Sequence, residues 1–323
     1  MGVFILQRAS TGLLVIFAMS VIVFLGVYAI GNPIDVLINP AADMVIRQQT
    51  IARYGLDKPL VEQFLVFMTS LVRGDFGTSF VFGTPALPLI LGKLPATLEL
   101  ALSAMTIAIV LGIPLGMYAG LRHDSIAARA IMSGSILGFS LPTFWVGLML
   151  ILVFSVELHW LPSGGRGETV TILGIEWSFL TIDGLTHLLL PAFNLALFKL
   201  SLIIRLARAG MRETWLADYI RFARAKGLAP ARVIFVHAFR NILIPIVTVL
   251  GLELGSVIAF AVVTETIFSW PGMGKLIIDS IISLDRPVMV TYLMLVVMMF
   301  VLINFTVDIA YAALDPRVRE MRT

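Results

Sequence analysis

Lys199, Glu253, Glu265 and Asp308 are ionisable side chains that stand inside long apolar runs of this chain. A charge held in hydrocarbon is costly, so such residues mark a pathway, an ion pair or a water-filled cavity. Lys199 lies about ten residues, and Glu253 about twelve, from the nearer cytosolic end of its run, which puts both roughly 15–18 Å deep. Facing a common cavity, the two would pair when it is empty and exchange with a zwitterionic solute when it is filled. They read equally well as a structural ion pair, or as a lysine that snorkels toward the interface. Glu265 and Asp308 stand nearer the ends of their runs. A structural role is expected for both, with the end of a pathway as the weaker reading.

Bond-making chemistry finds no foothold. GxxxxGK[ST] is absent, so the chain carries no P-loop of its own. HExxH is absent too, and His123, His159, His187 and His237 are dispersed without ligand spacing. No serine has a Gly-x-Ser-x-Gly setting. With no cysteine, disulfides, thiol catalysis and Cys-based metal sites are excluded. The reading is of a chain that is not an enzyme and needs neither metal nor cofactor. Transport or assembly is what remains.

The elements that would position these charges follow from composition. The 323 residues are 59% hydrophobic and 13% charged, against about 45–50% and about 25% in soluble domains. This is an integral membrane protein, and its lipid partner is the bilayer. A net charge of +3 gives no argument for nucleic acid. Six runs are long enough to span: about 9–30, 96–120, 130–157, 186–209, 241–268 and 288–312. The first follows Arg8 and is too long for a signal-peptide core, so it reads as a retained helix.

Charge bias sets the orientation. With the N-terminus inside, 14 of the 23 Lys and Arg are cytoplasmic, eight are external and Lys199 lies within a span. The positive-inside rule therefore places both termini in the cytosol. The external segment 31–95 shows helical spacing in VIRQQTIARYGL and PLVEQFLVFMTSLV, and a small helical cap is expected there. Segment 158–185 is Gly-rich and irregular. The whole chain, 1–323, reads as one all-α permease-like membrane domain. Gly112, Gly116 and Gly120, and again Gly251 and Gly255, recur every four residues, which suits close helix packing. Pro142, Pro191 and Pro245 can bend their helices where neighbours satisfy the freed backbone groups.

The other informative stretch is Arg205 to Pro245, which holds eight of the 23 cations. Within the loop 210–240, residues Asp218 to Lys226 favour a helix, and Tyr219, Phe222, Ala223 and Lys226 share one face of it. Gly227 fits the stop and Pro230 the first turn of another short helix. A short cytosolic helix, a bend and a return to the membrane look like a docking element. A purely topogenic positive cluster is the alternative.

Here the residues become recognisable. DYIRFARAKGL followed by HAFRNILIP resembles the coupling-loop signature of the dipeptide, oligopeptide, nickel and glutathione ABC importer permeases. GLDKPLVEQF and GDFGTSF resemble that family's external segment, and LPATLELAL and LGIPLGMYAGL its second span. FSLPTFWVGLMLILVFS, HLLLPAFNLAL and VVTETIFSWPGMGKL are similar to its third, fourth and fifth spans, and NFTVDIAYAALDPRVR to its C-terminal end. Nearly the whole chain is covered, in the family's order. The wider Glu-Ala-Ala-xxx-Gly signature falls on Arg221, Phe222, Ala223 and Gly227, so Arg replaces its Glu and Phe its first Ala.

The resemblance implies a six-helix, type I importer permease in the bacterial cytoplasmic (inner) membrane. It implies pairing with a second, homologous permease and two cytoplasmic ATPases, which would bind ATP and Mg, and supply by an external solute-binding protein. It assigns ATPase coupling to the 218–228 helix: Tyr219, Arg221, Phe222, Ala223, Arg224, Ala225, Lys226, Gly227 and Leu228. Peptides, glutathione among them, are the implied cargo. Nickel is disfavoured by the lack of His or carboxylate clusters. An ion-coupled secondary transporter would need midplane ion sites and often internal repeats; Lys199 and Glu253 alone are thin support for it, and no repeat is seen.

Overall fold

A computed structural model of the chain describes residues 2–29, 44–53 and 57–314. It is helical almost throughout. The long helices are α1 (Gly2–Ala29), α4 (Ala86–Leu121), α7 (Ile182–Leu216), α10 (Phe239–Ile267) and α12 (Arg286–Leu314). Shorter ones are α2 (Met44–Arg53), α3 (Leu60–Val72), α5 (Ile126–Ser140), α6 (Thr143–Leu150), α8 (Asp218–Ala225), the single turn α9 (Pro230–Arg232) and α11 (Met273–Ile282). Among the described residues, five helices are long and apolar enough to cross a membrane, or six if one bent pair forms a span.

That bent pair is α5 and α6, the expected third span. The apolar run is continuous, yet the helix axis turns by 108° between Ser140 and Thr143. The cause is local. Leu141 precedes a proline, which disfavours the α conformation, and its backbone is extended at φ −80°, ψ 137°. Pro142 then opens the next helix, which continues as a π-helix over Ile151–Glu157. Pro191 and Pro245, by contrast, lie inside unbroken α7 and α10.

The chain packs as two compact units. One comprises Ala96–Trp270. In it the glycine stripe of α4 lets α7 approach closely. A Cβ at Gly116 would stand 2.6 Å from the Ala207 Cβ and 2.6 Å from the Ile204 carbonyl. Gly112 faces Ile203 and Gly120 faces Met211 in the same way, so residues four apart on one helix meet residues four apart on the other. The segment read as irregular, 158–185, carries a two-stranded antiparallel hairpin, β1 (Val170–Ile172) with β2 (Ile175–Trp177).

The other unit comprises Met1–Pro95 and Pro271–Thr323. Here α1 packs on α12, and Arg8 Nε lies 3.2 Å from Asp308 Oδ2. That ion pair joins α1 to α12. The predicted external helices are present as α2 and α3. Phe24 of α1 meets Phe64 and Phe67 of α3, with ring centroids 5.3 and 5.7 Å apart. Ahead of α3, Lys58 donates to Glu62 at 2.6 Å, and that hydrogen bond and charge hold its ammonium above the ordinary lysine range. Asp285 is buried and gathers the turn after α3: it accepts from Ser79 Oγ and from the Phe80 and Val81 amides at 3.1 and 3.3 Å. Of the sequence expectations, the end of the first span at Ile30 and the C-terminal Arg317, Arg319 and Arg322 lie outside the described residues.

Candidate functional site

Lys199 on α7 and Glu253 on α10 are 54 residues apart in sequence, and the fold brings them together. The Lys199 ammonium donates to Glu253 Oε2 and, at 2.7 Å, to Ser256 Oγ. Ser256, one turn beyond Glu253, lies 2.7 Å from the same carboxylate oxygen. Lys199 is nearly buried, whereas the Glu253 side chain keeps 30% of its surface open. The pair is thus neutralised from within and accessible on the carboxylate side. Glu265, expected to be structural, is fully buried and accepts from Thr97 Oγ1 at 2.6 Å.

The basic loop also takes the predicted form. Helix α8 ends in a two-bond lock. The Gly227 amide donates to the Arg224 carbonyl at 2.9 Å and the Leu228 amide to the Ala223 carbonyl at 3.3 Å. That lock requires a left-handed residue at the stop, and Gly227 supplies it at φ +76°. Pro230 then opens α9, which runs into a π-helix over Val233–Ala238.

The faces of α8 sort by packing. Ile220 and Ala223 are buried as α8 packs on α7 and on the Val233–Ala238 segment. Tyr219 and Phe222 are exposed, at 44% and 61%. This corrects the expectation for Ala223. It shares a face with Ile220, three residues earlier, and serves to seat α8 on its own chain instead of offering a surface outward. Arg221, Arg224, Ala225 and Lys226 are exposed, and Leu228 is half-buried. Lys226 Nζ stands 4.5 Å over the Phe222 ring, and Arg224 covers Trp215 at 5.2 Å. The Tyr219 hydroxyl accepts from Asn241 Nδ2, tying α8 to the start of α10. The outward surface is an aromatic pair ringed by cations, on a short helix tethered at both ends.

One cluster escaped sequence reasoning. Glu99, near the middle of α4, is buried and accepts five hydrogen bonds. Arg166 gives two, at 3.1 and 2.7 Å, and Ser178 gives two, from its amide at 2.7 Å and its hydroxyl at 2.9 Å. The Phe179 amide gives the fifth at 3.0 Å. Nearby, Trp270 is wholly buried and its indole N–H donates to the Ala96 carbonyl at 2.9 Å. The signal was the carboxylate itself, at the start of an apolar run, but its partners stand 67 and 79 residues away. Among the described residues, no group of three or more His, Cys, Asp or Glu side chains could hold a metal ion.

Comparison with known proteins decides the family. Residues 112–320 match the model of the binding-protein-dependent transport system inner membrane component. The chain belongs to this family. The permease is 40% identical to the di/tripeptide transport system permease protein DppB of Pseudomonas aeruginosa, over 99% of each chain. It is 38% identical to the oligopeptide transport system permease protein AppB of Bacillus subtilis, over 98% of the permease and 99% of AppB. Against the glutathione transport system permease protein GsiC of Escherichia coli the figure is 34%, over 98% of each. Among solved structures, the MetNI methionine ABC transporter in an inward-facing conformation aligns with a TM-score of 0.55 at 19% identity. That alignment covers 70% of the permease and 96% of the matched chain, and it supports the all-α importer-permease fold.

Proposed function

We propose that the chain is the permease subunit of an ATP-driven peptide importer, carrying di- and oligopeptides, a class that includes glutathione. The observation that carries this reading is full-length similarity to permeases named for peptide cargo, together with the exposed aromatic pair on α8. A second permease would complete the pathway, two cytoplasmic ATPases would hold ATP and Mg, and an external solute-binding protein would deliver the peptide. The chain would act as one permease domain in the bacterial inner membrane, with both termini and the 210–240 loop in the cytosol.

In the mechanism we infer, Tyr219 and Phe222 seat in a groove on an ATPase, with the exposed Arg221, Arg224 and Lys226 making a polar rim. A buried aromatic anchor inside a charged rim is how small interfaces concentrate binding energy. Ala223 and Ile220 hold α8 rigidly to α7 and to the segment leading into α10. A push on α8 is then transmitted to the two helices that carry Lys199 and Glu253. Their pair would close the pathway when empty and open toward a zwitterionic solute when filled.

The test is co-purification of the tagged chain from mild detergent with its neighbouring gene products. Wild type should bring down an ATPase. Phe222→Asp should lose it, by tenfold or more if the anchor contributes about 2 kcal/mol, while still eluting as a folded species because Phe222 packs against little of its own chain. Retention of the ATPase by Phe222→Asp, or its absence from wild type, would leave the loop as a topogenic cluster and sink the coupling role.

A further inference from the structure

Helix α7 is mostly buried, but one stripe along it is not. Phe198, Leu202, Arg205 and Ala209 recur at i, i+4, i+7 and i+11, which places them on one face, and all four are exposed or half-buried. Arg205 is the notable member. Its guanidinium carbon lies 4.8 Å from the centroid of the Phe139 ring. Phe139 stacks on Phe198, centroids 4.7 Å apart and planes 28° from parallel. Lys199 Nζ stands 5.1 Å from the Phe198 ring on its way to Glu253. Among the described residues Arg205 makes neither an ion pair nor a hydrogen bond. Its charge is balanced only by the face of a ring.

The contact that side chain makes differs from that of a cation at a span end. An arginine that snorkels turns its head toward the nearer membrane surface. Arg205 does the reverse: it reaches to Phe139, which also touches Phe198, seven residues toward the N-terminal end of α7. On the proposed orientation that is away from the cytosol and into the membrane. A lipid phosphate, confined to the surface, is therefore the wrong ligand. An anion that travels through the span is the right one.

Spacing gives its size. Glu253 meets α7 at Lys199, and the Arg205 backbone lies six residues farther along, roughly 9 Å of helix rise, a separation that the returning guanidinium shortens. Extended peptides of two or three residues span roughly 7–10 Å. A free peptide carries an ammonium at one end and a carboxylate at the other, and the site has the opposite order: the half-open carboxylate of Glu253, then two stacked rings, then an unpaired guanidinium. Stacked rings accept many side chains without selecting among them. Building on the importer reading above, we propose that this stripe binds short peptides by their termini, with Arg205 taking the C-terminal carboxylate, Glu253 the N-terminal ammonium, and the Phe139–Phe198 stack bearing the residue between.

The chain contains no cysteine, so a single thiol can report on the stripe. Leu202→Cys sits between Phe198 and Arg205. The assembled transporter in lipid vesicles is labelled with a water-soluble maleimide, read on this chain alone, with trialanine or trialanine amide added. Labelling should proceed from water, and trialanine should slow it by about tenfold when present at ten times its dissociation constant. Trialanine amide should protect at least about tenfold more weakly in concentration, having lost a charge-assisted contact. In an Arg205→Gln background the two peptides should become equivalent, and Arg205→Lys should restore part of the difference.

Labelling by a lipid-soluble reagent alone would put the stripe against lipid and overturn the proposal. So would labelling that vanishes on assembly, which would make the stripe a contact with the second permease, or equal protection by acid and amide in the unmodified Arg205 background. ATPase co-purification, measured on the same samples, reports separately on the importer reading. An assembly that retains its ATPase but shows no acid-specific protection defeats this site and leaves that reading intact.

Discussion

Glu99–Arg166 and Lys199–Glu253 each join segments far apart in the sequence, and their surroundings are opposite. The Glu99 carboxylate is closed off: five donors saturate it, two of them backbone amides that cannot rotate away, and Arg166 is itself only 11% exposed. Glu253 has two side-chain partners, Lys199 and Ser256, both on one side, and its other side is open. A saturated buried carboxylate has no lone pair to offer a ligand and functions as a strut for the 158–185 segment. A half-open pair can trade one partner for another at small cost. Burial and donor count, more than the presence of a charge, separate the closed pair from the open one in this unit.

The largest effect should come from breaking the strut. Glu99→Ala leaves two amides without their acceptor and the nearly buried Arg166 with only Glu176 as a partner, and a loss of about 3 kcal/mol is expected. It should appear as a steep fall in thermal midpoint and in the yield of monodisperse protein from detergent. A fall no larger than that of an exposed-surface control would mean the cluster is not a strut.

Next comes the reversal of the open pair. Lys199→Glu combined with Glu253→Lys keeps the attraction, so assembly with the ATPases should survive. Peptide uptake in reconstituted vesicles should drop by about tenfold or more, equivalent to about 1.4 kcal/mol, because the order of charges along the path is inverted. Normal uptake by the swapped protein would reduce the pair to a structural bridge and erase the contrast.

Two smaller changes sharpen it. Ser178→Ala removes one hydroxyl donor from Glu99 while the Ser178 and Phe179 amides remain, so about 1 kcal/mol of stability should be lost with uptake unchanged once folded protein is normalised. Ser256→Ala at the open pair should cost less, about 0.5 kcal/mol, and should raise the peptide concentration needed for half-maximal uptake. If the two serines behave alike in both assays, the distinction between closed and open pairs fails.

Much of this architecture was legible in the residues. Apolar runs located the long helices because in a bilayer every backbone polar group must be satisfied within its own helix. The Gly112–Gly116–Gly120 spacing announced a close contact, since glycines four apart share a face whatever they meet. Gly227 announced the stop of α8, because a left-handed residue there is a local demand of the backbone. The break at Leu141–Pro142 was half legible: proline marked a bend, but the unbroken hydropathy of 130–157 hid a turn of 108°. Likewise, the periodicity that put Tyr219, Phe222 and Ala223 on one face could not say that Ala223 faces inward. That depends on Val233–Ala238 folding back beneath α8.

The sequence by itself determined the membrane class, the long apolar helices, the stop of α8 and, in Lys199 and Glu253, two ionisable residues that had to find partners. Each follows from forces acting within a few turns of chain: hydrocarbon length, backbone conformation and the cost of a charge in hydrocarbon. The tertiary structure alone decided which partners those residues found. Lys199 met Glu253 across 54 residues, Glu99 met Arg166 across 67, and Arg205 was left over an aromatic ring. Pairings of that kind depend on how helices pack, and packing is set jointly by side-chain shapes on both surfaces, which no single stretch of sequence contains.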